Sequence, residues 1–291
     1  MEYRKRSSTP KKLLHQVNAD VLDQAERWYE LKNLWPNFPL PAFSVPSNLP
    51  KHISALAEIE DVAKQLREAW HLGLDAIPKL VDLLESRGIL VITTTVKTQN
   101  KIDGLQASIE GTPVNVVTQD ATGDRQRFTL AHELGHLILQ NRLSPALDEE
   151  KACNHFAGAF LLPDSTAKNI LGEQRHMLEM QELYLLKHEY GLSMAACLYR
   201  AKQLNIISEE NYIRLMRVFS QNGWRTQEPG APYKNEQTTL FQQLVYRALG
   251  EGIIGDAKAA ELVKMTAYEF HQNRKMEVTH AVADQRCEYS Y

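Results

Sequence analysis

A chain of 291 residues, 43% of them hydrophobic and 24% charged, can bury one to two domains, which excludes an intrinsically disordered protein. A net charge of −3 gives no global case for nucleic-acid binding, and no apolar run approaches the ~20 residues of a membrane span. The start MEYRKRSSTPKK has no hydrophobic segment behind it and so is not expected to be a secretory signal, and the scattered Cys153, Cys197 and Cys287 make no disulfide framework; a reducing cytoplasm is the expected setting.

Residues 1 to about 12 form a basic arm with Arg4, Lys5, Arg6, Lys11 and Lys12, either a solvated terminus or a contact for nucleic acid or an acidic partner. Val17 to Leu34 has helical spacing, with Val21, Ala25, Trp28 and Leu31 on one face. Trp35 to Pro50 holds five prolines and reads as an extended connector. Ile53 to Trp70 and Ile77 to Ser86 read as helices, the second with Pro78 in its first turn. Ile89 to Val96 (ILVITTTV) reads as a strand. Leu105 to Ile109 and Val114 to Thr118 are two more, joined by a Glu110-Gly111-Thr112 hairpin turn.

Helical spacing resumes at Arg127 to Leu139 (RFTLAHELGHLIL), where Leu130, Leu134, Leu137 and Ile138 form a core-facing stripe and Asp124 is the expected N-cap. A second helix is expected from Asp148 to Asp164, with Cys153, Phe156, Phe160 and Leu161 on its apolar face and Pro163 at its end. Gln181 to His188, Met194 to Leu204 and Glu209 to Ser220 read as further helices. After the loop Thr226 to Lys234 come Thr239 to Leu249, a helix capped by Asp256 and running to Val263, and one capped by Thr266 and running to Arg274. The stretch KAAELVKMTAYEFHQNRK resembles a helix-turn-helix in which Lys264 or its neighbours fill the place of the usual turn glycine. A DNA role would put His271 to Lys275 in the major groove, while a packing hairpin is the ordinary reading.

The chemistry is carried by His132-Glu133-Leu134-Gly135-His136, an H-E-x-x-H motif. Four residues apart on a helix, His132 and His136 share a face and can bind one Zn²⁺, with Glu133 beside them as general base. A catalytic zinc needs a third protein ligand. Glu150, in the first turn of the next helix, is the choice, Glu149 the fallback, and His155 a candidate set well round the helix; without a metal both acids would be ordinary helix-start carboxylates. Helix, small sheet, active-site helix and ligand helix in that order give an α+β, zincin-like layout. In such a layout an edge strand, Val114 to Thr118 or Leu105 to Ile109, could receive an extended substrate by β-augmentation. Tyr199 and His176 are weaker candidates for oxyanion stabilisation.

The run RFTLAHELGHLIL followed by Glu150, Asn154, Phe156, Ala157, Leu161 and Pro163 (E-x-x-x-N-x-F-A-x-x-x-L-x-P) resembles the ImmA/IrrE family of bacterial and phage metallopeptidases. The likeness extends to Ile102-Asp103-Gly104, similar to the family's F-D-G turn, and to Leu186 to Ile207 and Gly223 to Pro229, so that it covers roughly Glu58 to Pro229. Cys153 departs from the pattern, in which Ala is commoner. The resemblance implies zinc on His132, His136 and Glu150, with Glu133 catalytic. It also implies a regulatory protein as substrate, often an XRE-type transcriptional repressor cut after a stress or signal, in a mobile-element, stress-response or toxin–antitoxin-like setting. No room is expected for an XRE domain ahead of the Val17 helix, so a separate regulator is the expected partner. The alternatives are a non-proteolytic, antitoxin-like binding module on the same fold and a DNA-associated regulator. The expected division is 1–50 for arm, helix and connector, 51–229 for the peptidase domain and 235–291 for a helical C-terminal region.

Overall fold

A computed structural model describes residues 11–97 and 104–276. Arg4, Lys5 and Arg6 of the basic arm, Ile102 and Asp103 of the expected turn, and Cys287 lie outside the described residues. The elements are α1 (Lys11–Leu34), α2 (Glu58–Ala69), α3 (Leu80–Ser86), β1 (Leu90–Thr94), β2 (Gly104–Ile109), β3 (Thr112–Thr118), α4 (Gly123–Leu139), α5 (Glu149–Leu161), α6 (Asp164–Leu171), α7 (Met180–Tyr190), α8 (Met194–Gln203), α9 (Glu209–Gln221), α10 (Leu240–Gly250), α11 (Asp256–Leu262) and α12 (Ala267–Arg274). The architecture is α+β, a small sheet among helices, as the zincin-like layout requires.

The chain divides into two units, one of Met1–Gln24 and Pro39–Thr238, the other of Ala25–Phe38 and Thr239–Tyr291. The second half of α1 groups with the C-terminal helices because its aromatic face is used there: Trp28 meets Phe38 edge-on at 5.6 Å and Phe241 at 6.2 Å. Arg27 also donates to the Leu262 carbonyl at 2.8 Å. In that unit Thr266 caps α12 in a reciprocal capping box with Glu269, and Lys264 turns the chain in the left-handed conformation (φ 56°). Two residues expected on a recognition helix are engaged within the unit: Arg274 with Asp256 at 2.8 Å and Asn273 with the Tyr246 hydroxyl at 3.3 Å.

In the first unit the sheet order is β1-β3-β2, with β1 parallel and β2 antiparallel to β3. Leu105 pairs with Val116, and the hairpin turns through Glu110 and Gly111, both at positive φ (45° and 78°), so the tight turn needs two residues and Thr112 already belongs to β3. Because β3 is central, Val114 to Thr118 is not an edge and cannot accept a further strand; Leu105 to Ile109 can.

Several element starts differ from expectation, each because a distant group takes over the backbone. Residues 53–57 do not begin α2, since Ile53 forms a parallel bridge with Leu143, donating to Arg142 O at 2.8 Å and accepting from Ser144 N at 2.9 Å. The helix starts at Glu58, with Glu58, Glu60 and Asp61 in its first turn. Pro78 lies ahead of α3 rather than inside it, because the Glu236 carboxylate accepts the amides of Leu80 (3.3 Å) and Val81 (3.2 Å) and so defines the start. Asp124 is not the N-cap of α4: Thr122 holds that position, and the Asp124 carboxylate faces Lys187 at 3.5 Å. Gly255, not Asp256, precedes α11. Pro163 ends α5 and at once opens α6, which the apolar pattern did not announce; its carbonyl accepts Ala167 N at 2.9 Å.

Helix α4 is held by Arg127, which is fully buried. It donates to Glu236 at 2.5 Å, to Ile77 O at 2.7 Å and to Tyr190 O at 3.4 Å, tying α4 to the residues ahead of α3, to α7 and to the segment after α9. Arg127→Met strands the buried Glu236 carboxylate and is expected to cost about 3–5 kcal/mol of stability, read as the urea midpoint. Glu85 on α3 is buried beside Asp82, and burial, reinforced by that like charge, pushes its carboxyl up to about 8. The folded state therefore holds a proton there that the unfolded chain gives up near its ordinary value. This contribution to stability is whole below that value and is lost as pH rises through about 8. Glu85→Gln should raise the melting temperature at pH 8 and above and leave it unchanged near pH 4; equal melting curves at pH 8 would refute the assignment.

Candidate metal centre

The first two residues of α5 are carboxylates because Asp148 caps the helix, accepting Lys151 N at 2.9 Å, which leaves Glu149 and Glu150 in the first turn beside the free amides. Helix α5 lies tight against α4. A side chain at Gly135 would meet Phe156 Cδ1 at 3.1 Å and Cys153 Cα at 3.3 Å, so the glycine of the motif permits the approach. The first turn of α5 thereby comes over the paired histidines.

There three donors converge. His132 Nε2 and His136 Nε2 are 3.1 Å apart, His132 Nε2 is 3.3 Å from Glu150 Oε2, and His136 Nε2 is 3.6 Å from Glu150 Oε1. Ligand atoms about 2.0–2.1 Å from one tetrahedral ion stand about 3.3 Å apart, so this spacing is that of a metal's ligand shell. The other ring nitrogens decide the tautomers. His132 Nδ1 is 3.0 Å from Asn154 Oδ1, and His136 Nδ1 is 3.1 Å from Glu149 Oε1. Both oxygens can accept, and with a proton on each Nδ1 the two Nε2 lone pairs point at each other across 3.1 Å. Two lone pairs and a carboxylate facing one another are mutually repulsive unless a cation lies among them, so the residues present fit a divalent metal.

A second grouping, His136, Glu149 and Cys153, shares one histidine with the first. Cys153 Sγ lies 3.1 Å from His136 Nδ1 and is buried, as is His136. In this set two of the three donors are buried and only the Glu149 side chain, 43% exposed, reaches solvent. The first set is open, with the Glu150 side chain 70% exposed, and therefore suits catalysis. In this arrangement Glu149 faces Nδ1 of His136 and Asn154 faces Nδ1 of His132, positions from which each could orient a ligating imidazole.

Glu133 is buried on α4 next to His132, and its carbonyl accepts from Gln106 Nε2 of β2 at 3.4 Å, tying the base-bearing turn to the edge strand. His155 does not join the centre: it pairs with Glu60 at 2.7 Å, within an ion network that includes Arg200. Arg200 and His155 hold the Glu60 carboxyl down to about 2 despite its burial, which opposes ionisation. Tyr199 is exposed and rings with Tyr212 at 6.0 Å, and the carbonyl of His176 accepts from Arg214; neither contact places a side chain at the centre. The orienting role of Asn154 went unassigned in the sequence, although its spacing of four from Glu150 was a signal for a shared face.

Residues 84–202 match the family model Peptidase_M78, described as an IrrE N-terminal-like domain. No curated protein sequence matches the chain. Among solved structures, a Mycobacterium tuberculosis transcriptional regulator is similar over 52% of this chain and 47% of its own, with 18% identity and a TM-score of 0.38. The chain spans about half the length of that protein, and so distant a likeness carries no argument about function.

If the three convergent donors hold a metal, His136→Ala should abolish stoichiometric zinc in the purified protein. Asn154→Ala should weaken zinc binding by about 10–100-fold, the usual cost of losing a group that orients a ligand. Metal analysis after dialysis against graded chelator reads both, and zinc content unchanged in His136→Ala would refute the centre.

Proposed function

With residues 84–202 forming a domain of the ImmA/IrrE peptidase family, Peptidase_M78, we propose that the chain is a zinc-dependent endopeptidase that cuts a separate regulatory protein in the cytoplasm. The observation that carries this reading is the convergence of His132 Nε2, His136 Nε2 and the Glu150 carboxylate beside Glu133. A divalent cation held by those donors supplies Lewis acidity toward a water and a peptide carbonyl, and nitrogen-plus-carboxylate ligation suits zinc.

The remaining work belongs to the chain. Glu133 takes a proton from the attacking water and returns it to the departing amine. Its place on the same helix as both histidines keeps base and ligands in one rigid frame. Glu149 and Asn154 hold the two imidazoles in the tautomer that turns Nε2 inward. The edge strand β2 takes an extended stretch of substrate through its open backbone groups, and Gln106 links that strand to the Glu133 turn.

The substrate class rests on the family resemblance: an XRE-type transcriptional repressor, cleaved in a stress, mobile-element or toxin–antitoxin-like setting. No described helix is long and apolar enough to cross a membrane. Co-expression with neighbouring regulators, followed by mass spectrometry of fragments, identifies the target. Glu133→Gln should keep its zinc while cleavage falls by about 10²–10⁴-fold. Unaltered regulation by a cleavage-dead, zinc-replete Glu133→Gln protein would instead favour the binding-module reading.

A further inference from the structure

A cavity of about 590 Å³ opens one helical turn from His132. Its wall on α5 is the stripe Lys151, Asn154, His155 and Gly158, spaced three and four apart on one helix face. Asn154 in that stripe is the residue that orients His132. From α4 the wall is Phe128, one turn before His132 on the same face. The cavity therefore adjoins the candidate centre through Asn154, and its size is that of a ligand-binding cleft.

Its lining is charged in one sense. Lys151, Arg200 and Lys202 contribute, with His155 beside them, and no aspartate or glutamate does. Two of these are compensated from beneath, since Arg200 and His155 both bind Glu60. Lys202 is held by Glu209 at 2.7 Å and lies over the rings of Tyr199 and Tyr212. Lys151 is exposed and makes no ion pair among the described residues, so one cation at the rim is unanswered. Gln203 accepts from Arg200 through Oε1, which leaves its NH₂ group as a donor. Leu56, Phe128, Leu192 and Ala196 provide apolar wall.

Apolar walls, amide donors and an unanswered ammonium are what a side chain with a methylene stem and an anionic end requires. We propose, building on the peptidase reading, that this cavity is a side-chain subsite next to the scissile bond that selects an acidic residue, glutamate above aspartate. A lysine or arginine entering it would meet like charge and leave a cation desolvated.

The test uses the zinc-loaded full chain and three fluorescent decapeptides of alanine and serine that differ at one central position, Glu, Gln or Lys. Binding is read by anisotropy, its location by amide shifts of Lys151, Gln203 and Asn205, and cleavage by mass spectrometry. The Glu peptide is expected to bind about fivefold more tightly than the Gln peptide, with the gap closing as salt rises, and the Lys peptide to bind worst. Lys151→Glu should reverse the order of Glu and Lys, and Lys151→Gln should remove it, with zinc content and melting temperature unchanged. Equal affinities, no binding of any peptide, shifts mapping elsewhere, or a preference that survives Lys151→Glu overturns the subsite. The two readings separate. Cleavage without an acidic preference removes the subsite and keeps the peptidase. Selective binding in the cavity with no cleavage of peptides or repressor removes the peptidase and keeps the subsite.

Discussion

The close contact of α4 with α5 at Gly135 is the constraint on which the centre depends. Three donors from two helices meet only if the helix axes come near enough for the first turn of α5 to overhang the histidine pair. Any side chain at position 135 would meet Phe156 and Cys153. The fully buried Phe156 and Phe160, stacked at 5.6 Å, then secure the rest of α5 in the core. Backbone proximity, capping by Asp148 and the outward face of Glu150 follow from one another, which is why a short linear motif can depend on one small residue between its histidines.

Around this contact the unit uses buried cations as fasteners. Arg67 donates to the Phe160, Gly73 and Asp75 carbonyls, Arg127 to Ile77 and Tyr190 carbonyls and Glu236, and Arg200 to the Leu162 carbonyl and Glu60. A guanidinium can satisfy several acceptors at once, so each serves helix C-termini and loops that would otherwise bury orphan carbonyls. Lys187, bound by Glu228 and Asp124, does similar work at the start of α8, where Glu228 also accepts the amides of Met194 and Ala195. The histidine-bearing helix is thus clamped at its N-terminal half by Ile77, groups from α7 and the segment 228–236. Its open face is left to His132 and Phe128.

Much of this was legible in the chain and some was not, for identifiable reasons. The histidine helix, the ligand helix with Pro163 at its end and the β2–β3 hairpin follow from apolar period and turn chemistry, which act over a few residues. The starts of α2 and α3 differ from the local pattern because Arg142, Ser144 and Glu236, far away in sequence, bond the backbone groups of Ile53 and Leu80. Asp124 looked like a cap and is instead a buried partner of Lys187. The sheet order is not given by the hairpin: β2 alternates in burial while β3 is buried over most of its length, and which lies at the edge depends on β1 joining β3 in parallel.

By itself the sequence determined the donor types, their spacing on α4 and the presence of acidic candidates at the start of the next helix, because a helix repeats every 3.6 residues and its first turn favours carboxylates. Only the tertiary structure placed Glu150 and Glu149 against different ring nitrogens. The two are adjacent on one turn with the same chemistry, and what distinguishes them is that one faces the Nε2 atoms while the other faces Nδ1 of His136, a difference set by the rotation of α5 against α4.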